Sequence, residues 1–139
     1  MKEALTRLDF IADNFLPNSW FQNQSTPSLL KLAPEKVKEV RERCMENLEL
    51  LKEAFSKPGL ASSLIEPQGG WSALVRFAST IDEDALVTEL IRKYALSAQP
   101  GYFFDMPFNC VAVSLLPSVG VSESRIKVLI EAIEALSRE

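Results

Sequence analysis

Three short stretches carry the residue types best suited to bind a ligand. Gly69-Gly70-Trp71 joins two glycines, which accept positive φ angles at little cost, to an aromatic ring that offers a flat wall. Tyr102 to Asp105 combines three rings with a carboxylate, and Arg76 could hold a carboxylate through two parallel hydrogen bonds. Each stretch also has a structural interpretation: a tight turn with a core tryptophan, a packed aromatic cluster, and an ordinary surface arginine.

Composition excludes several classes of chemistry. The chain has no histidine and no close pair of cysteines, so a Ser-His-Asp or Cys-His nucleophile and a zinc site are excluded, and we expect no metal. A net charge of −4 gives no reason to expect nucleic acid or an acidic membrane as partner. No stretch has the length of a membrane span and no secretory signal is present, so we expect an intracellular, cytoplasmic protein. Cys44 and Cys110 are predicted to be free and buried.

The periodicity of apolar residues predicts the elements that must position these stretches. The predicted elements are a helix over 2–16 ended by Pro17, an ordered connector over 20–33 with one helical turn at 28–32, a helix over 34–56, strands over 63–66 and 72–77, a helix capped by Asp82, strands over 96–99 and 110–116, and a final helix capped by Ser122. The first helix should bury Leu5, Leu8, Ala12 and Phe15 on one face.

This order of elements favours one α+β domain of 139 residues. We expect a small, partly antiparallel sheet packed against helices, including one long helix. In the strand over 72–77, Ala73, Val75 and Phe77 share one face, and Leu74 and Arg76 share the other, so one face must be core. The aromatic rings of Tyr102 to Phe104 are expected to pack, and the apolar run from Cys110 is expected to form a central strand.

Taken together and in this order, the stretches resemble the C-terminal small domain of the class I/II, fold-type I, PLP-dependent aminotransferases. The resemblance rests on the long helix with an arginine-rich run and Asn47-Leu48, the Gly69-Gly70-Trp71 strand, the Pro100-Gly101-Tyr102-Phe103 loop, and the Val113-Ser114-Leu115 pattern before a terminal helix. It covers nearly the whole chain. It implies that residues 1–33 are a connecting helix and linker, that 34–139 are the domain core, and that the large cofactor-binding domain is absent.

The resemblance implies a part of an enzyme that transfers an amino group between an amino acid and a 2-oxo acid. The pyridoxal 5'-phosphate of the complete enzyme would be held by a lysine of the large domain, so we expect no catalytic residue, no cofactor-binding residue and no bound cofactor in this chain alone. Gly69, Gly70, Trp71, Tyr102 and Asp105 would line the substrate pocket.

One position departs from the family pattern. Many members carry a carboxylate-binding arginine where this chain has Ala112, and Arg76 and Asp105 are the candidates to compensate. The expected partners are the large domain, the amino acid or 2-oxo acid, and a second copy bound through exposed apolar surface. The alternative hypothesis is a stand-alone, non-catalytic interaction module that reuses the same fold.

Overall fold

A computed structural model describes residues 2–14 and 18–138, in which helices alternate with short strands. The elements are α1 Lys2–Asn14, α2 Trp20–Phe55, β1 Ser62–Ile65, β2 Ser72–Phe77, α3 Glu83–Tyr94, β3 Gln99–Pro100, a 3-10 helix Gly101–Phe104, β4 Cys110–Ser114 and α4 Val119–Leu136. The predicted end of the first helix at residues 15 and 16 and its stop at Pro17 lie outside the described residues. The chain divides into two compact units, one up to Lys38 and one from Glu39 onward.

The second unit contains a four-stranded sheet in the order β1-β2-β4-β3, with all three strand pairs antiparallel. Ala73, Val75 and Phe77 are buried on the face that packs against the helices. That core also takes large apolar side chains from each of the three helices, among them Leu48, Leu51, Leu86, Leu90, Leu129 and Ile133. The predicted α+β class is therefore confirmed, and β4 is the central strand that its apolar run indicated.

Helix α2 begins much earlier than the sequence predicted. The connector expected over 20–33 is wrong, because α2 runs without interruption from Trp20 and contains both Pro27 and Pro34. Ser19 and Gln22 explain the start: the Ser19 amide donates to Gln22 Oε1 at 2.8 Å, and the Gln22 amide donates to Ser19 Oγ at 3.3 Å. This reciprocal pair is a capping box, which fixes the start of the helix at Trp20.

The buried face expected for the first helix is also wrong over its described part. Leu5 and Leu8 are 55% and 60% exposed, and Ala12 is exposed too. Val37 of the long helix is exposed as well, whereas Cys44, Leu48, Leu51 and Phe55 of the same helix are buried. Helical spacing shows which side chains share a face, but it does not show what covers that face.

Several element boundaries differ from the predictions. Helix α4 begins at Val119, with Ser118 at the N-cap position, so Ser122 is not the cap but a buried residue of the first turn, whose amide donates to the Ser118 carbonyl. Strand β3 is confined to Gln99–Pro100 and does not cover 96–98. The cap at Asp82 is confirmed, since its carboxylate accepts from the Ala85 amide at 2.8 Å.

Cys44 and Cys110 are free and buried, as predicted. Over residues 2–14 and 18–138, no helix has both the length and the apolar character that crossing a bilayer requires. The same residues contain no cluster of three or more acidic or thiol groups that could hold a metal ion.

Candidate functional site

The sheet face opposite the core, called here the second face, contains Leu74 and Arg76 of β2 with Cys110, Ala112 and Ser114 of β4. This follows from strand alternation, because Ala73, Val75 and Val111 face the helices. In the register, Ala112 lies between Leu74 on one side and Gln99 of β3 on the other. Ala112 therefore lies at the middle of the second face.

Gly69, Gly70 and Trp71 lie at one end of this sheet, which we call the Trp71 end. Gly70 has φ 83°, a left-handed conformation that explains why a glycine occupies the turn. The Trp71 carbonyl accepts from the Leu115 amide at 2.8 Å, which extends the pairing of β2 with β4. The Trp71 side chain is 62% exposed, so it is not a core tryptophan and is free to contact a ligand or partner.

The opposite end, called the Glu83 end, brings Arg76 close to the loop that contains Tyr102. Arg76 pairs with Cys110 in the register, and one Glu83 carboxylate oxygen accepts from the Cys110 amide at 2.7 Å. The other Glu83 oxygen accepts from the Tyr102 amide at 3.2 Å. A Cβ at Gly101 would clash with Cys110 Sγ and would lie 2.9 Å from Glu83 Oε1, so only glycine fits this approach.

The rings of this loop remain exposed, contrary to the expectation that they pack. Tyr102 and Phe103 are 52% and 65% exposed and meet edge to face, with ring centroids 5.0 Å apart. The Tyr102 hydroxyl donates to Asp84 Oδ1 at 2.9 Å. Asp105 is exposed, has φ 52°, and follows the 3-10 helix as its C-cap. These side chains therefore present aromatic and acidic surface at the Glu83 end.

Arg76 is the cation of the second face. Its guanidinium carbon lies 4.8 Å from the centroid of the Phe108 ring, which is within the range of a cation–π contact. The side chain is exposed and makes no ion pair with any residue that the structure describes. Its charge is therefore available to an anionic ligand.

The structure does not bring all six candidate residues together. Arg76, Tyr102 and Asp105 belong to the Glu83 end, whereas Gly69, Gly70 and Trp71 belong to the other. Trp71 and Arg76 are separated by five residues of extended chain, or about 17 Å along the strand. Alternation places Trp71 on the side of Ala73 rather than on the second face with Arg76, so one small ligand cannot contact both.

Two ionisable groups at the Glu83 end have raised pKa values. The hydrogen bond to Asp84 raises the pKa of the Tyr102 phenol above its ordinary value. Burial, followed by the nearby charge of Glu83, raises the pKa of the Cys110 thiol. Both groups are therefore protonated at neutral pH, and Cys110, which is fully buried, is not placed to act as a nucleophile.

Two lysines of this unit also have raised pKa values. Hydrogen bonds to Glu66 and then Glu49 raise the pKa of Lys52, and a hydrogen bond to Glu89 is the main cause for Lys93. Both amines are protonated at neutral pH, which disfavours attack on a carbonyl group because only the neutral amine is nucleophilic.

Sequence reasoning missed the residues that fix the Glu83 end. Glu83 lies in the first turn of α3, and its bond to the Cys110 amide spans 27 residues of chain. Asn109 was not singled out, yet its side-chain amide donates to the Ile81 carbonyl at 2.7 Å. No local pattern marks either contact, because each depends on how α3 packs beside β4.

The fold is similar to part of several solved aminotransferases. Tyrosine aminotransferase from Leishmania infantum matches with a TM-score of 0.67 at 14% identity, over 82% of this chain and 29% of that chain. A putative amino-acid aminotransferase from Psychrobacter arcticum gives 0.66 at 17% identity, over 91% and 32%. A kynurenine aminotransferase from Pyrococcus horikoshii, solved in complex with PMP, gives 0.60 at 24% identity, over 82% and 28%.

At these identities the likeness defines the fold, which is that of an aminotransferase part. The chain spans about 30% of the length of the aminotransferases it matches. No protein-family model matches the sequence, and no curated protein matches it.

Proposed function

We propose that the chain is the C-terminal small domain of a class I/II, fold-type I, PLP-dependent aminotransferase. The observation that supports the proposal is the extent of the structural match: most of this chain aligns with about 30% of each neighbour. The parent reaction would transfer an amino group between an amino acid and a 2-oxo acid.

In that enzyme the second face would close over the substrate and exclude water. Arg76 is a better candidate than Asp105 to compensate for Ala112, because a carboxylate needs a cation. Arg76 is the diagonal cross-strand neighbour of Ala112, at a Cα separation of roughly 7–8 Å, which a long side chain can span. Trp71 would form a pocket wall at the other end of β2.

The residues present do not fit pyridoxal 5'-phosphate on this chain alone. None of the strand residues of the described sheet is a lysine, so the second face offers no amine for a Schiff base. Lys52 and Lys93 are ion-paired to glutamates. We therefore propose that the cofactor and its lysine belong to a large domain, and that this chain alone catalyses no transamination.

The rival hypothesis is a stand-alone, non-catalytic interaction module. The first unit argues against it, because large apolar side chains are exposed along both of its helical segments. These are Leu5, Leu8, Phe10, Ile11, Trp20, Phe21, Leu29, Leu30, Leu32 and Val37. So much apolar surface is typical of a segment that another domain or a second copy covers.

Sedimentation of the purified chain tests this surface. We expect self-association that depends on concentration and weakens in the double variant Trp20→Ser, Phe21→Ser. The exposed pair Lys36→Ser, Lys38→Ser is the matched control on the same helix and should leave association unchanged. A wild-type chain that remains monomeric at all concentrations would favour the independent module.

The decisive experiment is to read the coding sequence immediately upstream and to co-express its product with this chain. We expect a large domain that contains a cofactor lysine, and a complex with a visible imine absorbance. An upstream product unrelated to aminotransferases would overturn the proposal.

A further inference from the structure

A small cavity lies on the side of the sheet that the helices cover, opposite the second face. It measures about 60 Å³ and lies between α4, the segment over 96–98, and the end of β4. That volume accommodates roughly four water-sized groups. The apolar part of its lining consists of Leu51, Leu96, Val113, Ile126 and Leu129.

The shortness of β3 accounts for this opening. The pairing of β3 with β4 ends at Gln99 and Ala112, although β4 continues to Ser114. The Leu115 amide donates to the Trp71 carbonyl, and the Phe77 amide donates to the Asn109 carbonyl, so residues 109 and 115 direct backbone groups toward β2. Because these directions alternate along a strand, the backbone groups of Ser114 point away from β2, toward the side where β3 has ended. The end of β4 therefore leaves backbone hydrogen-bonding groups beside the cavity.

Two polar side chains of α4 also line the cavity. Ser122 is 6% exposed, and its hydroxyl oxygen is buried without a hydrogen-bond partner among the described residues. Arg125, one helical turn later on the same face, is exposed and forms no ion pair with a described residue. A buried hydroxyl without a partner is costly unless a ligand or water satisfies it.

We propose that this cavity binds a short aliphatic monocarboxylate of about four to six carbons. The apolar tail would occupy the space beside Val113, Ile126 and Leu129. The carboxylate would lie at the rim, where it would accept from the Arg125 guanidinium and the Ser122 hydroxyl. This inference does not depend on the proposed function, because it uses none of the candidate residues Arg76, Trp71, Tyr102 or Asp105.

Titration of the isotopically labelled full chain with 3-methylbutanoate, followed by methyl and amide NMR, tests the proposal. We expect saturable shifts confined to the residues that line the cavity. Acetate, which lacks the tail, and 3-methylbutan-1-ol, which lacks the charge, should each bind about tenfold more weakly, as expected for the loss of one contributing interaction.

Substitutions separate the two polar contacts from general effects on charge. Arg125→Gln should weaken binding about tenfold, and Ser122→Ala about threefold, because a neutral hydrogen bond contributes less than a charged one. Lys127→Gln removes an exposed cation of the same helix that does not line the cavity, and it should change nothing. Ser122→Ala removes a hydroxyl without a partner, so it should not unfold the chain.

Three outcomes would overturn the proposal. The first is that 3-methylbutanoate causes no saturable shift at the cavity. The second is that the alcohol binds as well as the acid, or that Arg125→Gln and Lys127→Gln behave alike. The third is that only a peptide with an apolar side chain fills the cavity, which would make it a protein contact.

Discussion

The two ends of the sheet contain candidate loops of similar length, but they are held in different ways. At the Glu83 end, one carboxylate accepts from two backbone amides, and Gly101 packs directly against it. At the Trp71 end, the contacts beyond strand pairing are, among the described residues, the backbone hydrogen bond to Leu115 and the exposed ion pair of Glu66 with Lys52 at 2.6 Å.

This difference indicates which loop is able to adapt. Exposed ion pairs contribute little to stability, whereas a carboxylate bonded to backbone amides in a half-buried position contributes more. We therefore expect the loop of Tyr102 to hold its shape and the turn of Trp71 to move when a ligand or partner binds. The two ends would then act as a fixed wall and an adjustable wall.

The largest expected effect is at Gly101. Gly101→Ala places a methyl group against the Cys110 sulfur first, and also against the Glu83 carboxylate and the Cys110 carbonyl, so it should lower the free energy of unfolding by about 3 kcal/mol. Gly69→Ala is the matched control, because a Cβ there meets nothing within 4 Å. Chemical denaturation measures both variants. Equal effects would show that the two ends are held alike.

Removal of the Glu83 carboxylate should have the next largest effect. Glu83→Ala leaves the amides of Tyr102 and Cys110 without their acceptor and should cost about 2 kcal/mol. Glu89→Ala on the same helix removes only the surface pair with Lys93 and should cost about 0.5 kcal/mol. Hydrogen exchange should show faster opening of the Tyr102 loop in Glu83→Ala alone. Unchanged exchange there would contradict the fixed wall.

A smaller effect is expected at Gly70, within the adjustable wall. Gly70→Ala forces a residue with a Cβ into the left-handed conformation at φ 83° and should cost about 1 kcal/mol. Thermal unfolding measures the loss. Stabilisation by this substitution would show that the turn does not keep its left-handed conformation in solution.

The smallest effect concerns the pH dependence of the Glu83 end. Because the folded-state pKa of Tyr102 is raised by Asp84, the phenol contributes fully to stability below pH of about 10. That contribution is lost as pH rises through the folded-state pKa. Tyr102→Phe should remove this decline, and Asp84→Asn should lower the pKa of the phenol in a titration of its ultraviolet absorbance. An unshifted pKa in Asp84→Asn would exclude the hydrogen bond in solution.

Local patterns in the sequence were enough for the α+β class, the strand over 72–77 and the cap at Asp82. Alternation of Ala73, Val75 and Phe77 correctly identified the core face, because a strand has only two faces to choose between. The start of α2 was missed although its signal was present, since Ser19 and Gln22 have the spacing of a capping box. Pro27 and Pro34 do not interrupt this helix, although proline is rare inside helices.

Other features lay beyond sequence reasoning because they depend on tertiary contacts. The bonds of Glu83 to Tyr102 and Cys110 join residues 19 and 27 positions apart. Strand β3 begins only at Gln99, so the segment over 96–98 leaves the cavity beside Arg125 open.

The most direct test of the central claim is to add pyridoxal 5'-phosphate to the purified chain and record its visible absorbance. The claim is that this chain supplies substrate-facing surface but lacks the cofactor's lysine. We therefore predict no imine absorbance that survives dilution, and no single lysine labelled after reduction. A lasting absorbance that disappears when one particular lysine is replaced would contradict the account.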